Sequence, residues 1–236
     1  MTSSLTVIVP AYNEEINLSA AVQTVRGATT DRVSSLQVII VDDGSTDSTG
    51  SIADEIALQD ARIKVVHNGV NKGLGYSYRK GLEIASEDYV MMIPGDNENS
   101  TISISPIVDH LGEADVIVPY VLNPEVRSIT RRLLSKTFVA TINVLCGLHL
   151  RYYNGTCAIR RNVIKTIKLD THGFAYMAAT LVRLLKLGYT FREVGIELDK
   201  PKGGSSKAFM PRNIVQVLRT VLALFWEVRV TRPRQI

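Results

Sequence analysis

The chain has 236 residues, 45% of them hydrophobic, and a formal net charge of +4. That size and content suit one generous α/β domain, or a domain with a C-terminal extension, and exclude a disordered chain or a small disulfide scaffold. The charge is uneven: the acids lie mostly in the first half and Arg and Lys gather after Arg127, so the second half is expected to meet phosphate or an anionic membrane face unless it is only a solvated surface.

Residues 5–10 (LTVIVP) form a β-branched run ended by proline and read as a first buried strand. Ile16, Leu18, Ala21, Val22 and Val25 then recur at helical spacing, with Asn13 or Asn17 as the cap and the acids in the first turn. The stretch 37–49 (QVIIVDDGSTDST) organises the rest. Its apolar run stops at Asp42 and Asp43, followed by Gly44, Ser45 and Thr46 and a helix expected over 48–58. In open α/β sheets ligands bind outside the carboxyl ends of the strands, which is where this carboxylate pair falls; helix capping by Asp43 and Ser45 is the alternative.

Residues 63–66 (IKVV) give a third strand. The glycines at 69, 73, 75 and 81 do not match GxGxxG, so 67–81 reads as a basic loop entering a helix, with Lys72, Arg79 or Lys80 near a phosphate. Residues 88–93 form a fourth strand that ends in Pro94, Gly95, Asp96, Asn97 and Glu98. Strands that each end in acids can bring them into one crevice, as a divalent metal on a diphosphate requires; a plain turn is the alternative. With a fifth strand at 115–119, the alternation predicts a mostly parallel sheet.

Residues 137–150 are apolar and uncharged but too short to span a bilayer, and read as a core helix or a helix resting on lipid. Near the end, Ile214, Val217, Leu218, Val221, Leu222, Phe225 and Val228 repeat at helical spacing beside Trp226, among Arg212, Arg219, Arg229, Arg232 and Arg234. That pattern suits an interfacial helix on anionic lipid, or one packed on the domain or on a membrane-protein partner. Cys146 and Cys157, without CxxC spacing, read as reduced core residues. The first fifteen residues lack the pattern of a signal peptide, so a cytoplasmic location, peripheral at the inner membrane face, is expected.

VIVPAYNEE, VIIVDDGSTDST, NKGLGYSYRKGLEIA and VMMIPGDNE, in this order, resemble the nucleotide-binding half of the family-two glycosyltransferases, which have the GT-A fold. Arg131 to Ser135, Asn154 to Arg161, Gly173-Phe174, Leu187 to Tyr189 and Gly204 to Lys207 extend the resemblance to the dolichyl-phosphate mannosyltransferase and polyprenyl-phosphate glycosyltransferase branch.

The resemblance implies an α/β GT-A domain over 1–210, with a nucleotide-binding half (1–120), an acceptor half (121–210) and a basic amphipathic helix at 211–236. It implies a UDP- or GDP-sugar donor, inversion at the sugar, and no nucleic-acid partner. Pro10, Tyr12 and Glu14 would line the nucleotide pocket, Asp42 would contact the base and the segment at Lys72 would close it. The family's acid-x-acid metal motif falls at Pro94-Gly95-Asp96, where proline replaces the first acid, so Asp96 and Glu98 are the expected ligands of Mn²⁺ or Mg²⁺. A second departure is Tyr152-Tyr153-Asn154-Gly155-Thr156 in the acceptor motif, and a third is Ala175 after Gly-Phe.

A lipid phosphate acceptor is already anionic and needs cations rather than a base, for which Arg131, Arg132, Lys136, Lys202 and Lys207 are candidates, with Arg131 and Lys207 placed in the catalytic set. A saccharide hydroxyl acceptor would need a base such as Asp170 or His172. A non-catalytic nucleotide-sugar binder is the rival from another class, motivated by Pro94.

Overall fold

The structure is a computed structural model that describes residues 2–169, 176–199, 221 and 223–227. Strands β1 (Leu5–Ala11), β2 (Leu36–Asp42), β3 (Ile63–His67), β4 (Tyr89–Met92), β5 (Val116–Val121), β6 (Ala158–Arg160) and β7 (Phe191–Ile196) form one sheet in the order β3-β2-β1-β4-β6-β5-β7. Between them lie α1 (Leu18–Thr29), α2 (Thr49–Gln59), α3 (Leu74–Ile84), α4 (Thr101–Asp109), α5 (Ile129–Cys146), α6 (Arg161–Ile164) and α7 (Tyr176–Lys186). The first four strands run parallel. β6 is antiparallel to both β4 and β5, and β7 returns parallel to β5.

β1 is buried along its whole length, and β2 at all but its first residue, as continuous apolar runs are when helices cover both faces of a sheet. Alternation divides the side chains. Val7, Val9, Val38 and Ile40 face α1 and α4, through Leu18, Val22, Val25, Ile104 and Ile107. Ile8, Ile39 and Val41 face α3 and α7, through Tyr78, Leu82, Met177 and Leu181. Each such side chain, fully buried, contributes roughly 1.5–3 kcal/mol. α3 crosses β1 at Gly81, where a Cβ would come within 2.5 Å of the Ile8 side chain.

The parallel order runs from β1 outward to β2 and β3 on one side and to β4 on the other, so the direction of winding reverses between β1 and β4. At such a switch point the strand ends open into a crevice. The seven-stranded sheet passes through both halves of the sequence.

The five expected strands are present with ends shifted by one or two residues, whereas the sequence reading makes no assignment at α4, α6, α7, β6 or β7. The helix expected over 137–150 begins at Ile129 and is two-faced: Ile142 and Cys146 are buried in the core with Phe138, Val139 and Leu145 packed against it, while Leu133, Ala140 and Val144 are exposed. Ser128 caps it, accepting the Arg131 N–H, and Gly147 closes it in the left-handed region at φ 60°. Cys146 and Cys157 are buried free thiols. None of the described helices is long and apolar enough to cross a membrane.

Candidate active site

The loops after β1 and β2 are stapled together by short polar side chains. Asn13, in the left-handed region at φ 55°, donates its N–H to Ser45 Oγ (3.1 Å) and accepts the Thr46 N–H on Oδ1 (2.9 Å). Asparagine tolerates that conformation better than most residues. The Glu14 N–H goes to Thr49 Oγ1 at 2.7 Å, and Glu15 Oε2 accepts the Ser48 N–H at 2.9 Å. Residues 13–15 are therefore held by the second loop, while the Glu14 carbonyl also accepts the Leu18 N–H at the start of the helix that follows (2.9 Å). α1 starts only at Leu18, and the Asn17 side chain donates to Glu14 Oε2 (2.8 Å) instead of capping it.

The two carboxylates at the end of β2 are both buried and have different partners. Asp42 Oδ1 accepts the Ser45 N–H at 3.0 Å and Oδ2 pairs with His67 Nδ1 at 3.0 Å. Burial alone would raise this carboxyl, but the bonds from Ser45 and His67 outweigh it and hold Asp42 below its usual range. Asp43 Oδ1 accepts from Asn68 Nδ2 (2.8 Å) and from the Lys72 N–H (3.0 Å), while Oδ2 accepts the Gly73 N–H (2.7 Å). Neither acid caps α2 through its side chain. Gly44, between them and the loop, lies at φ 73°, and a Cβ there would stand 2.6 Å from the Val70 carbonyl carbon.

At the end of β4, the Gly95 N–H reaches Pro10 O at 2.9 Å, which seats the next turn against β1. Asp96 is half-buried, and its Oδ1 accepts the Glu98 N–H at 3.1 Å, leaving Oδ2 for another partner. Asn97 takes φ 53° and Glu98 is exposed.

The acids that end β2 and β4 stand on strands that are not neighbours. β1 separates the two strands, which puts them about 10 Å apart. No three His, Cys, Asp or Glu side chains converge as a metal cluster among the described residues. The expected pair, Asp96 and Glu98, supplies two carboxylates on one turn. Such a donor set fits a Mg²⁺ or Mn²⁺ ion that takes its remaining oxygens from a diphosphate and water.

Of the residues expected from sequence, Pro10, Tyr12, Glu14, Asp42 and Asp96 lie along the carboxyl edge of β2, β1 and β4. Lys72 joins them through its backbone bond to Asp43. Its ammonium contacts Tyr76, 3.2 Å from the hydroxyl and 4.5 Å from the ring centroid. Arg131 is on another element, half-buried in the first turn of α5. Lys202, Lys207, Asp170, His172, the Gly173-Phe174 pair and the arginines from 212 onward fall outside the described residues.

Sequence reasoning placed Asp43 in the ligand-facing carboxylate pair but left its part as the anchor of the basic loop, and His67 and Asn68 altogether, without a role in the site. Their signal was present: a doubled acid does more than one cap needs, and two polar residues at the end of the neighbouring strand stand beside it.

Residues 6–168 match the Glycosyl transferase family 2 profile. The chain is 32% identical to polyprenol monophosphomannose synthase of Mycolicibacterium smegmatis, over 87% of this chain and 81% of that one. It is 26% identical to undecaprenyl-phosphate mannosyltransferase of Micrococcus luteus, over 93% and 95%. Among solved structures, glucosyl-3-phosphoglycerate synthase from Mycobacterium tuberculosis, in complex with UDP, shares the fold with a TM-score of 0.72 at 19% identity. That match covers 94% of this chain and 80% of the other. With the family profile spanning most of the chain and a full-length relative at this identity, the protein belongs to glycosyl transferase family 2 and is a glycosyltransferase.

Proposed function

We propose that the protein transfers a sugar from a UDP- or GDP-sugar to a polyprenyl phosphate, with inversion and with the help of a divalent metal. The observation that carries this reading is the strand-end edge. It sets a buried, hydrogen-bonded carboxylate (Asp42), a basic loop held by Asp43, and a half-buried carboxylate with one oxygen left over (Asp96) along the carboxyl edge of β2, β1 and β4. The names of the two relatives above supply the acceptor class.

In this reading Asp42 accepts an N–H of the base, Pro10, Tyr12 and Glu14 line the nucleotide, and Lys72 meets the phosphates. Asp96 and Glu98 would hold Mn²⁺ or Mg²⁺, which stabilises negative charge on the departing diphosphate. Lys72 opposes the same charge. The acceptor phosphate is anionic and attacks without a general base, so the acceptor half needs cations to hold it. Arg131 takes that part, with Lys207 from the segment outside the described residues.

A lipid acceptor also requires the enzyme to rest on a membrane. α5 supports this: Ile129, Leu133, Ala140 and Val144 fall on one face at helical spacing, all exposed, with Lys136 on its flank. The proposed division is a nucleotide half at 1–120, an acceptor half at 121–210 and a basic helix at 211–236, at the cytoplasmic membrane face.

Calorimetric titration with UDP and GDP, each with and without Mn²⁺, tests the donor site. Metal-dependent binding of one nucleotide, lost in Asp96→Ala, is the expected result. Binding that ignores both metal and substitution would remove the metal assignment, and binding of neither nucleotide would remove the donor reading.

A further inference from the structure

His67 is the last residue of β3 and stands opposite Asp42 in the parallel register. Both of its ring nitrogens are engaged: Nδ1 lies 3.0 Å from Asp42 Oδ2 and Nε2 lies 3.1 Å from Asp54 Oδ1 on α2. A neutral imidazole has one N–H and can serve only one carboxylate, leaving a lone pair facing the other; an imidazolium serves both. The site is shaped for this pair. A Cβ at Gly50, in the first turn of α2, would stand 3.0 Å from Asp42 Oδ2 and 3.5 Å from the His67 ring, so glycine there leaves the pair room that a side chain would crowd.

Asp42 is fixed by one bond on each oxygen, from Ser45 and from His67. Rotating the carboxylate breaks at least one of them. The lone pairs that remain are aimed by those two bonds.

We infer that His67 is a positioning residue for the donor nucleotide: as an imidazolium bridging Asp54 and Asp42, it sets the orientation in which Asp42 meets the base. The inference rests on the proposed contact between Asp42 and the nucleotide. Asp42 from β2 and Asp54 from α2 are the charged groups that face the ring, and Gly50 closes the side between them without charge. The bond to Asp42 raises the His67 pKa above its ordinary value; partial burial opposes this, and Asp54 adds to the rise. The bridge is therefore complete below the ordinary histidine range and is lost as pH rises through the elevated value. Donor affinity should follow it downward.

The test is the dissociation constant of UDP or GDP, whichever binds, measured by calorimetry from pH 5.5 to 8.5 for the wild-type chain, His67→Gln, Asp54→Asn and Asp42→Asn. The ratio of wild-type to His67→Gln affinity at each pH cancels the titration of the nucleotide's own phosphate. That ratio should be about tenfold at low pH, the worth of one charge-assisted bond, and fall toward unity as His67 deprotonates. Asp54→Asn should move the fall to lower pH, in step with the His67 ring-proton titration followed by NMR. A wild-type to His67→Gln ratio constant with pH would overturn the inference while Asp42→Asn still lost binding. Asp42→Asn binding as the wild type would instead remove the nucleotide contact on which the inference stands.

Discussion

Asp43 Oδ2 accepts the backbone N–H of Gly73 at 2.7 Å, which ties the end of β2 to the residue that opens α3. The same carboxylate takes the Lys72 N–H and the Asn68 side chain, so one buried acid fixes the course of the basic loop. In Asp43→Asn one of these acceptors becomes an NH₂ group facing a donor. A loss of about 1.5–3 kcal/mol of stability is expected, the range for a hydrogen bond to a charged group. Nucleotide binding should weaken alongside, because Lys72 loses its backbone anchor. Urea denaturation and nucleotide calorimetry check both; an unchanged variant would mean that the loop is held by other contacts.

Gly44 and Gly69 lie near each other in the same pair of loops and should respond in opposite ways to an added methyl group. At Gly44 the positive φ and the 2.6 Å approach to the Val70 backbone both oppose alanine. At Gly69 a Cβ meets nothing within 4 Å. Gly44→Ala should cost about 2 kcal/mol or more, and Gly69→Ala should stay within about 0.5 kcal/mol of the wild type in the same denaturation experiment.

Asp60, between α2 and β3, accepts from the Arg62 guanidinium and backbone N–H, and from Arg26 of α1 at 2.6 Å. Its carboxyl sits well below the usual range, chiefly through the Arg62 bonds. A depressed native pKa stabilises the folded state above the unfolded value, near 3.8, and that stabilisation is lost as pH falls through the native value. Asp60→Asn should therefore be less stable than the wild type at pH 7, and the gap should narrow below about pH 4. Thermal melts of both proteins across pH 3–7 would show it; a gap independent of pH would contradict the assignment.

The exposed face of α5 predicts separation of membrane binding from nucleotide binding. Leu133→Glu and Val144→Glu place charge where the proposal puts lipid, at positions exposed by 65% and 73%. Both should reduce sedimentation with anionic phospholipid vesicles by about tenfold or more, while the melting temperature and nucleotide affinity stay as in the wild type. Vesicle binding equal to the wild type would remove α5 from the membrane face.

The strand pattern was legible because β1, β2 and β4 are buried on both faces and so appear as unbroken apolar runs. β6 has only three residues and β7 begins with exposed Phe191 and Arg192, so neither carries such a run. The helical stretch at α5 was visible, but its burial was not. Apolar spacing around Val139, Ile142 and Cys146 looks the same whether the other side of the helix meets protein or something else. The location of Asp42, Asp96 and Lys72 at one edge followed from where apolar runs stop. The bonds from His67 and Asn68 did not, because they depend on which residues of β3 fall opposite β2, and register is a tertiary property.

The most direct test of the proposed reaction is mass spectrometry of the lipid fraction after the full chain is incubated with polyprenyl phosphate, Mn²⁺ and a panel of UDP- and GDP-sugars. A lipid carrying one sugar through a single phosphate, formed from one nucleotide class and absent with Asp96→Ala, is the predicted result. Nucleotide binding without any glycosylated polyprenyl phosphate, across the whole panel, would contradict it.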